Sequence, residues 1–334
     1  MYRVGIIGAG VGEKHSIAYK NHPDCSVKAI CDFDDSKFAS LEKVHPDASF
    51  FTDANLILND KDIDVVSIAS FDNYHTEQLL KAISNKKNVM VEKPMCLKIE
   101  ELLKIKSSFD TNPDIHLSSN HVLRTNARFA RFKNDISQGK LGEVYYIEAD
   151  YYWGRVEKLS GWRSEMDFYS IILGAAIHMI DLVMWLLNSK PVSVQATGNK
   201  IATANTGLKY NSFSAIILEF DNGLIAKITG NGGCVHPHFH GLKIFGTEKT
   251  AIHNLDSCYY LKADDSGYGR EYIEDPYPQK ESRENLIHTF IDSISNKSIV
   301  PLVSSQDVFD TMSVCFASEK AMSSGEKIII EYMD

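Results

Sequence analysis

Tyr2-Arg3-Val4-Gly5-Ile6-Ile7-Gly8-Ala9-Gly10-Val11-Gly12-Glu13-Lys14-His15 is an apolar run that breaks into glycines and resumes as a helical pattern. A strand that feeds a glycine turn and then a helix is the opening of a βαβ unit. Gly8 permits the tight turn, and Gly10 lets the backbone approach a pyrophosphate. From Val11 and Gly12 the helix offers free N–H groups and a positive dipole end, which suit phosphate. The third glycine of a G-x-G-x-x-G pattern would fall at Glu13. Gly12 comes one residue early, so the turn is one residue shorter. Asp32 ends the next strand pattern, where a carboxylate accepts hydrogen bonds from ribose hydroxyls and repels a 2′-phosphate. Turn and acid together predict a NAD site and disfavour NADP. The plainer alternative for Asp32 is an exposed strand-end acid, with Asp34 and Asp35 beside it.

Outward from this unit, strand patterns fall at residues 2–7, 26–31, 64–70, 88–92 and 115–120, with helical patterns at 37–44, 75–85 and 99–109. In the second helix Leu79, Leu80, Ala82 and Ile83 recur at three- and four-residue spacing, while Lys81 and Asn85 face outward. Short strands alternating with helices predict a doubly wound parallel sheet with right-handed crossovers. After residue 120 the texture changes. A helix fits 127–138, a long strand 143–153 and a buried helix 170–187, followed by extended segments at 211–220, 224–229, 242–245, 251–253 and 258–262. Asp221-Asn222-Gly223 suits a hairpin between the first two. Residues 264–275 read as a loop, and helices at 283–295 and 306–323 follow. The prediction is an α/β Rossmann domain over residues 1–120 and an α+β domain over residues 121–334. The second domain is expected to carry a large open, mainly antiparallel sheet.

Composition bounds the partners. The chain has 334 residues, 44% hydrophobic and 24% charged, which suits a soluble globular protein and excludes collagen, long disorder and a disulfide-dense mini-protein. Thirty-five Lys and Arg against 44 Asp and Glu leave a net charge of −9, a poor match for nucleic acid or an anionic membrane. Six scattered cysteines without a CxxC pair suggest reduced thiols in a cytoplasmic chain. The first residues lack a secretory pattern, and the apolar stretch 170–187 carries His178 and Asp181, which favours a core helix over a membrane span.

The chemistry-bearing residues cluster at strand ends. Glu92-Lys93-Pro94 lies at the carboxyl end of the 88–92 strand, which in a doubly wound sheet faces the ligand crevice. A lysine there can hydrogen-bond a substrate oxygen. Separately, His236-Pro237-His238-Phe239-His240 would project three histidines to one side of an extended segment, as metal ligands do. No cysteine or carboxylate pair accompanies them, so loop packing is preferred and no metal is expected.

With these blocks assembled, the chain resembles the Gfo/Idh/MocA family of NAD(P)-dependent oxidoreductases over essentially its whole length. The resemblance is carried by Gly12-Glu13-Lys14-His15, Asp32, Ser70-Phe71-Asp72-Asn73-Tyr74-His75 and Glu92-Lys93-Pro94. It continues through Asn120-His121-Val122-Leu123-Arg124, Gly161-Trp162-Arg163 and His178-Met179-Ile180-Asp181. It implies oxidation of a secondary alcohol, or reduction of the ketone, of a sugar, cyclitol or related polyol. Lys93 would bind and polarise the reacting oxygen, and His178 would be the general acid/base. The implied cofactor set is Gly8, Gly10, Val11, Gly12, Asp32, Ser70, Asn73, His75, Glu92, Lys93 and Asn120. Arg124, Tyr152, Trp162, Arg163 and Asp181 would face substrate or support that face, Asp181 equally as a structural cap. Tyr151, Tyr152 and Trp153 alternate on a strand, so only one side of it looks into the site.

The family pattern often has an aspartate four residues before this histidine, where this chain has Gly174. Either Asp167 or Tyr169 reaches in from the segment before the helix, or the substrate brings its own polar group, or the site is altered in chemistry or inactive. The loss favours one alternative, a NAD-binding regulator without turnover; separately, the resemblance leaves open an enzyme of the same fold that uses transient oxidation to cleave glycosides. An uncovered sheet face would favour a homodimer or homotetramer.

Overall fold

The β-branched runs of the first third become one parallel sheet in the computed structural model, which describes residues 1–264 and 267–333. Residues 1–120 carry β1 (Tyr2–Ile7), α1 (Gly12–Asn21), β2 (Cys25–Cys31), α2 (Phe38–Val44), β3 (Ser49–Phe51), α3 (Ala54–Leu58), β4 (Val65–Ile68), α4 (His75–Ser84), β5 (Asn88–Val91), α5 (Ile99–Asp110) and β6 (Leu117–Ser119). Then come α6 (Ala127–Ser137), β7 (Val144–Tyr152), α7 (Trp162–Glu165), α8 (Ile177–Leu187), β8 (Ser193–Asn199), β9 (Phe213–Glu219), β10 (Ile225–Asn231), β11 (Phe239–Gly246), β12 (Lys249–His253), β13 (Cys258–Asp264) and β14 (Gly267–Tyr272). The last elements are α9 (Glu284–Ser295), α10 (Ser305–Ser324) and β15 (Ile328–Ile329).

Two units result: residues 1–120 with 280–309, and residues 121–279 with 310–334. The second sequence-derived boundary set, 121–334, therefore needs a correction. Residues 280–309 group with the first unit because α9 packs on α1. There the His288 ring donates to the Ala18 carbonyl at 2.9 Å, and Asn21 donates to Glu284 at 3.0 Å.

The first sheet has the order β3-β2-β1-β4-β5-β6 with parallel pairing throughout. Val4, Ile6, Val65, Val66, Ile68 and Val89 are all fully buried, as expected for strands covered on both faces. The order reverses between β1 and β4, which is where such sheets bind ligands beyond the carboxyl ends of their strands. β3 and α3 are too short to show a periodicity, and the sequence reading missed both.

The second sheet has nine strands in the order β14-β13-β12-β11-β7-β10-β9-β8-β15. All its pairs are antiparallel except β7 with β10. The hairpin across Asp221-Asn222-Gly223 forms, with Gly223 at φ 86°. Half of the expected loop 264–275 is instead β14, paired with β13; its residues 265 and 266 lie outside the described residues. Alternation on β7 buries Ile147, Ala149 and Tyr151 and leaves Tyr146, Glu148, Asp150 and Tyr152 half-buried on the other face. On that face Lys227 pairs with Asp150 and Lys243 with Glu148, each at 3.1 Å.

The stretch 170–187 is a helix whose first part, Ile172–Ala176, is a π turn before α8 begins. Ser170 caps it, its hydroxyl accepting from the Ile172 and Leu173 N–H groups at 3.1 and 3.0 Å while hydrogen-bonding Glu319. No helix among the described residues is long and apolar enough to cross a membrane.

His253 makes the second unit acid-sensitive. Burial, aided by the Arg128 guanidinium, pushes its imidazole down to about 3, while the ring packs edge-on to Phe129 at 5.4 Å. Between the usual histidine range and that value the unfolded chain binds a proton that the folded chain refuses. Stability should therefore fall on acidification, by at most ~1.4 kcal/mol per pH unit from this residue. His253→Phe should flatten the slope of denaturation midpoint against pH in that window. An unchanged slope would remove His253 from the cause.

Candidate active site

The glycine turn has the geometry a pyrophosphate requires. Gly8 sits at φ 92°, and a Cβ there would run into the Ala69 carbonyl, so only glycine fits. A Cβ on Gly12 would lie 2.9 Å from Ile6 and 3.3 Å from Ala69, the close strand–helix packing that a third glycine provides. Gly10 is different: a Cβ there meets nothing within 4 Å, so the turn opens onto free space. Val11 gives α1 no capping side chain, which leaves its first-turn N–H groups to an anion.

Asp32 follows β2 at the edge of this turn. One carboxylate oxygen accepts from the Ala9 N–H at 2.6 Å and from Lys37 Nζ at 3.0 Å, and the other accepts from the Asp34 N–H at 2.9 Å. The acid is thus buried and fixed rather than an exposed strand-end residue. Lys37, absent from the sequence reading, would be released by losing this partner. Asp32→Ala should weaken NAD binding by about 10- to 100-fold, as loss of hydrogen bonds to a charged group does. NADP should lose far less, because the repulsion goes and Lys37 is freed for a 2′-phosphate. Equal losses in titrations with the two nucleotides would take Asp32 off the ribose.

The carboxyl ends of β4, β5 and β6 carry the next group. The His75 ring nitrogens lie 2.7 Å from the Pro94 carbonyl and 3.1 Å from that of Ser70. Ser70 also donates to Gln78 at 2.7 Å, and Asn73 occupies the single turn ahead of α4. The Lys93-Pro94 peptide is cis. Glu92 accepts from the Asn120 amide at 2.6 Å, from the Lys93 N–H at 3.2 Å, and faces His15 Nε2 at 3.2 Å. Burial opposes its ionisation, but the His15 hydrogen bond and charge, the Lys93 charge and the Asn120 amide outweigh it and hold the carboxyl at about 2. A fixed negative charge therefore precedes Lys93. His15, whose other nitrogen bonds Ser67 at 2.9 Å, is the partner that sequence reading did not assign.

In the second unit, His178 is buried on α8 and stacks on Tyr151, with centroids 5.5 Å apart and planes at 7°. His240 and His238 meet the same phenol edge-on at 4.8 and 5.3 Å, and His240 hydrogen-bonds the Tyr277 hydroxyl. The assignment of Tyr152 to this side is corrected by one residue: β7 turns Tyr151 toward His178 and Tyr152 away. Tyr152 stacks on His236 at 4.5 Å, and burial together with Asp150 pushes its phenol up to about 12. The three histidines consequently do not share a side. β11 starts only at Phe239, so residues 236–238 do not follow its alternation. No trio of ligating side chains forms among the described residues.

Arg124 and Asp181, expected toward substrate, take up each other. Two hydrogen bonds of 2.7 and 3.1 Å join the buried side chains, with Thr311 3.4 Å away. Breaking one side of such a pair costs ~3–5 kcal/mol, so both fit a positioning role for α8. At Gly174 a Cβ would lie 2.6 Å from the Tyr169 hydroxyl. Of the two residues expected to replace the missing aspartate, it is the buried Tyr169 that fills this space, while Asp167 is exposed. Arg163 lies over Trp162 at 4.1 Å and over Trp153 at 5.2 Å, and Trp153 meets Tyr151 edge-on at 6.2 Å.

Residues 2–121 match the oxidoreductase family with an NAD-binding Rossmann fold, and residues 129–252 match the GFO/IDH/MocA C-terminal domain. The chain is 21% identical to the myo-inositol 2-dehydrogenase of Thermotoga maritima over 340 residues, 98% of each chain. Among solved structures, a levoglucosan dehydrogenase in complex with NADH superposes with a TM-score of 0.86 at 19% identity, covering 99% of this chain and 100% of that one. The scyllo-inositol dehydrogenase of Lactobacillus casei with NAD(H) and scyllo-inositol gives 0.80 at 19% identity, over 98% and 99%. At these identities the structural likeness establishes the fold.

Proposed function

The chain belongs to the Gfo/Idh/MocA family of NAD-dependent oxidoreductases, and on that premise we propose that it moves hydride between NAD and a secondary alcohol or ketone of a sugar, sugar derivative or cyclitol. The observation that carries the reading is Glu92, ionised and anchored by His15 and Asn120 immediately before Lys93. It places a fixed negative charge immediately before Lys93, at the kind of strand end that faces ligand.

Gly8, Gly10, Val11 and Gly12 would hold the pyrophosphate and Asp32 the ribose, with Ser70, Asn73, His75 and Asn120 along the rest. NAD supplies the hydride acceptor when bound. Lys93 donates a hydrogen bond to the reacting oxygen and stabilises its negative charge. His178 takes the hydroxyl proton onto a ring nitrogen in oxidation and returns it in reduction. Arg124 and Asp181 hold the helix that carries His178.

Gly174 favours a second reading, a NAD-binding regulator without turnover. Retention of Lys93 and His178, with Tyr169 filling the space above Gly174, weighs for the enzyme. Appearance of NADH with a panel of sugars, sugar derivatives, glycosides and inositols tests this. NAD binding with no turnover across the panel would support the regulator. The half-buried Tyr146, Phe213, Ile217, Phe245 and Ile252 share the open sheet face and suit a second copy of the chain, giving a homodimer or homotetramer. A monomeric mass at micromolar concentration would contradict that. Six scattered cysteines without a CxxC pair suit the reducing cytoplasm.

A further inference from the structure

Three of the eight arginines pair with an acid among the described residues. Arg3 pairs with Asp62 and Asp64, Arg124 with Asp181, and Arg131 with Asp135 and Asp275. Arg155 and Arg163 do not. Both are half-buried, the Nε of each is shielded from solvent, and neither side chain makes a hydrogen bond or ion pair among the described residues. A guanidinium Nε shielded from water without an acceptor is an unmet hydrogen-bond demand, which an anion can meet.

Their surroundings say which anion. Arg163 lies against two indoles, Trp162 at 4.1 Å and Trp153 at 5.2 Å, and the Trp153–Tyr151–His178 ring contacts run from there to the proposed base. A guanidinium held flat by indoles keeps its N–H edge available for two-point contact with a carboxylate or phosphate. Arg155 follows Trp153 by two residues. Its backbone is held in place at Gly154, where a Cβ would collide with the His236 carbonyl. One turn before His178, Gly174 stands where a family carboxylate would have added negative charge.

We propose that Arg155 and Arg163 bind an anionic group on the substrate, so that the protein acts on a sugar acid or sugar phosphate in preference to a neutral polyol. This rests on the dehydrogenase reading above, and its test separates the two. The intact protein with NAD is offered D-glucose, D-glucuronate and D-glucose 6-phosphate, and myo-inositol with its 1-phosphate. An anionic probe should exceed its neutral parent in kcat/KM by about 100-fold, in line with measured couplings between close charges. Glucuronate against glucose 6-phosphate distinguishes carboxylate from phosphate.

Arg163→Met keeps the stem between the indoles. It should raise KM for the anionic probe by about 100-fold, a far larger loss than for the neutral parent. Arg155→Gln replaces it should Arg163→Met fail to fold. A neutral sugar preferred over both of its anionic derivatives would overturn the proposal, as would equal losses for neutral and anionic probes. Tryptophan fluorescence gives a readout independent of turnover, since Trp153 and Trp162 flank Arg163. Saturable quenching by an anionic probe, lost in Arg163→Met, supports the anion site even where no NADH forms. Absence of both quenching and turnover with every anionic probe overturns it.

Discussion

Lys93→Ala is expected to lower kcat by about 10³-fold, the loss that follows removal of a donor to a developing oxyanion. NAD binding should survive. The turn, Asp32 and the His75 contacts to Pro94 and Ser70 do not use the lysine side chain, and Glu92 keeps His15 and Asn120. The effect should lie in kcat rather than KM, because the hydrogen bond strengthens as the oxygen gains negative charge. A small alkylammonium ion in the vacated space should restore part of the rate. Unchanged kcat would take Lys93 off the reacting oxygen, and loss of NAD affinity in the same variant would make it a cofactor ligand instead.

His178→Asn carries the second large effect, about 10²- to 10⁴-fold in the oxidation rate, as removal of a general base does. Wild-type activity should fall on the acid side as the imidazole takes up a proton and can no longer accept one from the substrate hydroxyl. The variant, having no group to protonate, should lose that limb. Asparagine is small enough to stand beside Tyr151 without displacing α8, which Asp181 and Arg124 hold independently. A retained acid limb would move the base to another residue, with His240, edge-on to the same phenol, the first to examine.

Local geometry was legible in the sequence; long-range pairing was not. The strand, glycine turn and Asp32 could be read because tight turns and strand ends impose their requirements within a few residues. The doubly wound order followed from alternation of short strands with helices. Tyr151 and Tyr152 differ by one position, and a pattern cannot say which parity faces the helix layer until the sheet is built. Arg124 and Asp181 lie 57 residues apart, so nothing in either neighbourhood showed that they would satisfy each other. His15 read as part of a motif, and only β5 brings Glu92 to it. The return of residues 280–309 to the first unit rests on α9 meeting α1, a contact spanning most of the chain. That the Nε groups of Arg155 and Arg163 find no acceptor is likewise a property of the folded chain and not of either neighbourhood.

Deuterium tracing tests hydride transfer most directly. NAD is incubated with the intact protein and a panel of sugars, sugar acids, sugar phosphates and inositols deuterated at their carbinol carbons, and the nicotinamide is then examined by NMR. The predicted result is one deuterium on a single face of nicotinamide C4, dependent on Lys93 and His178. Bound NAD that gains no deuterium from any member of the panel would contradict it.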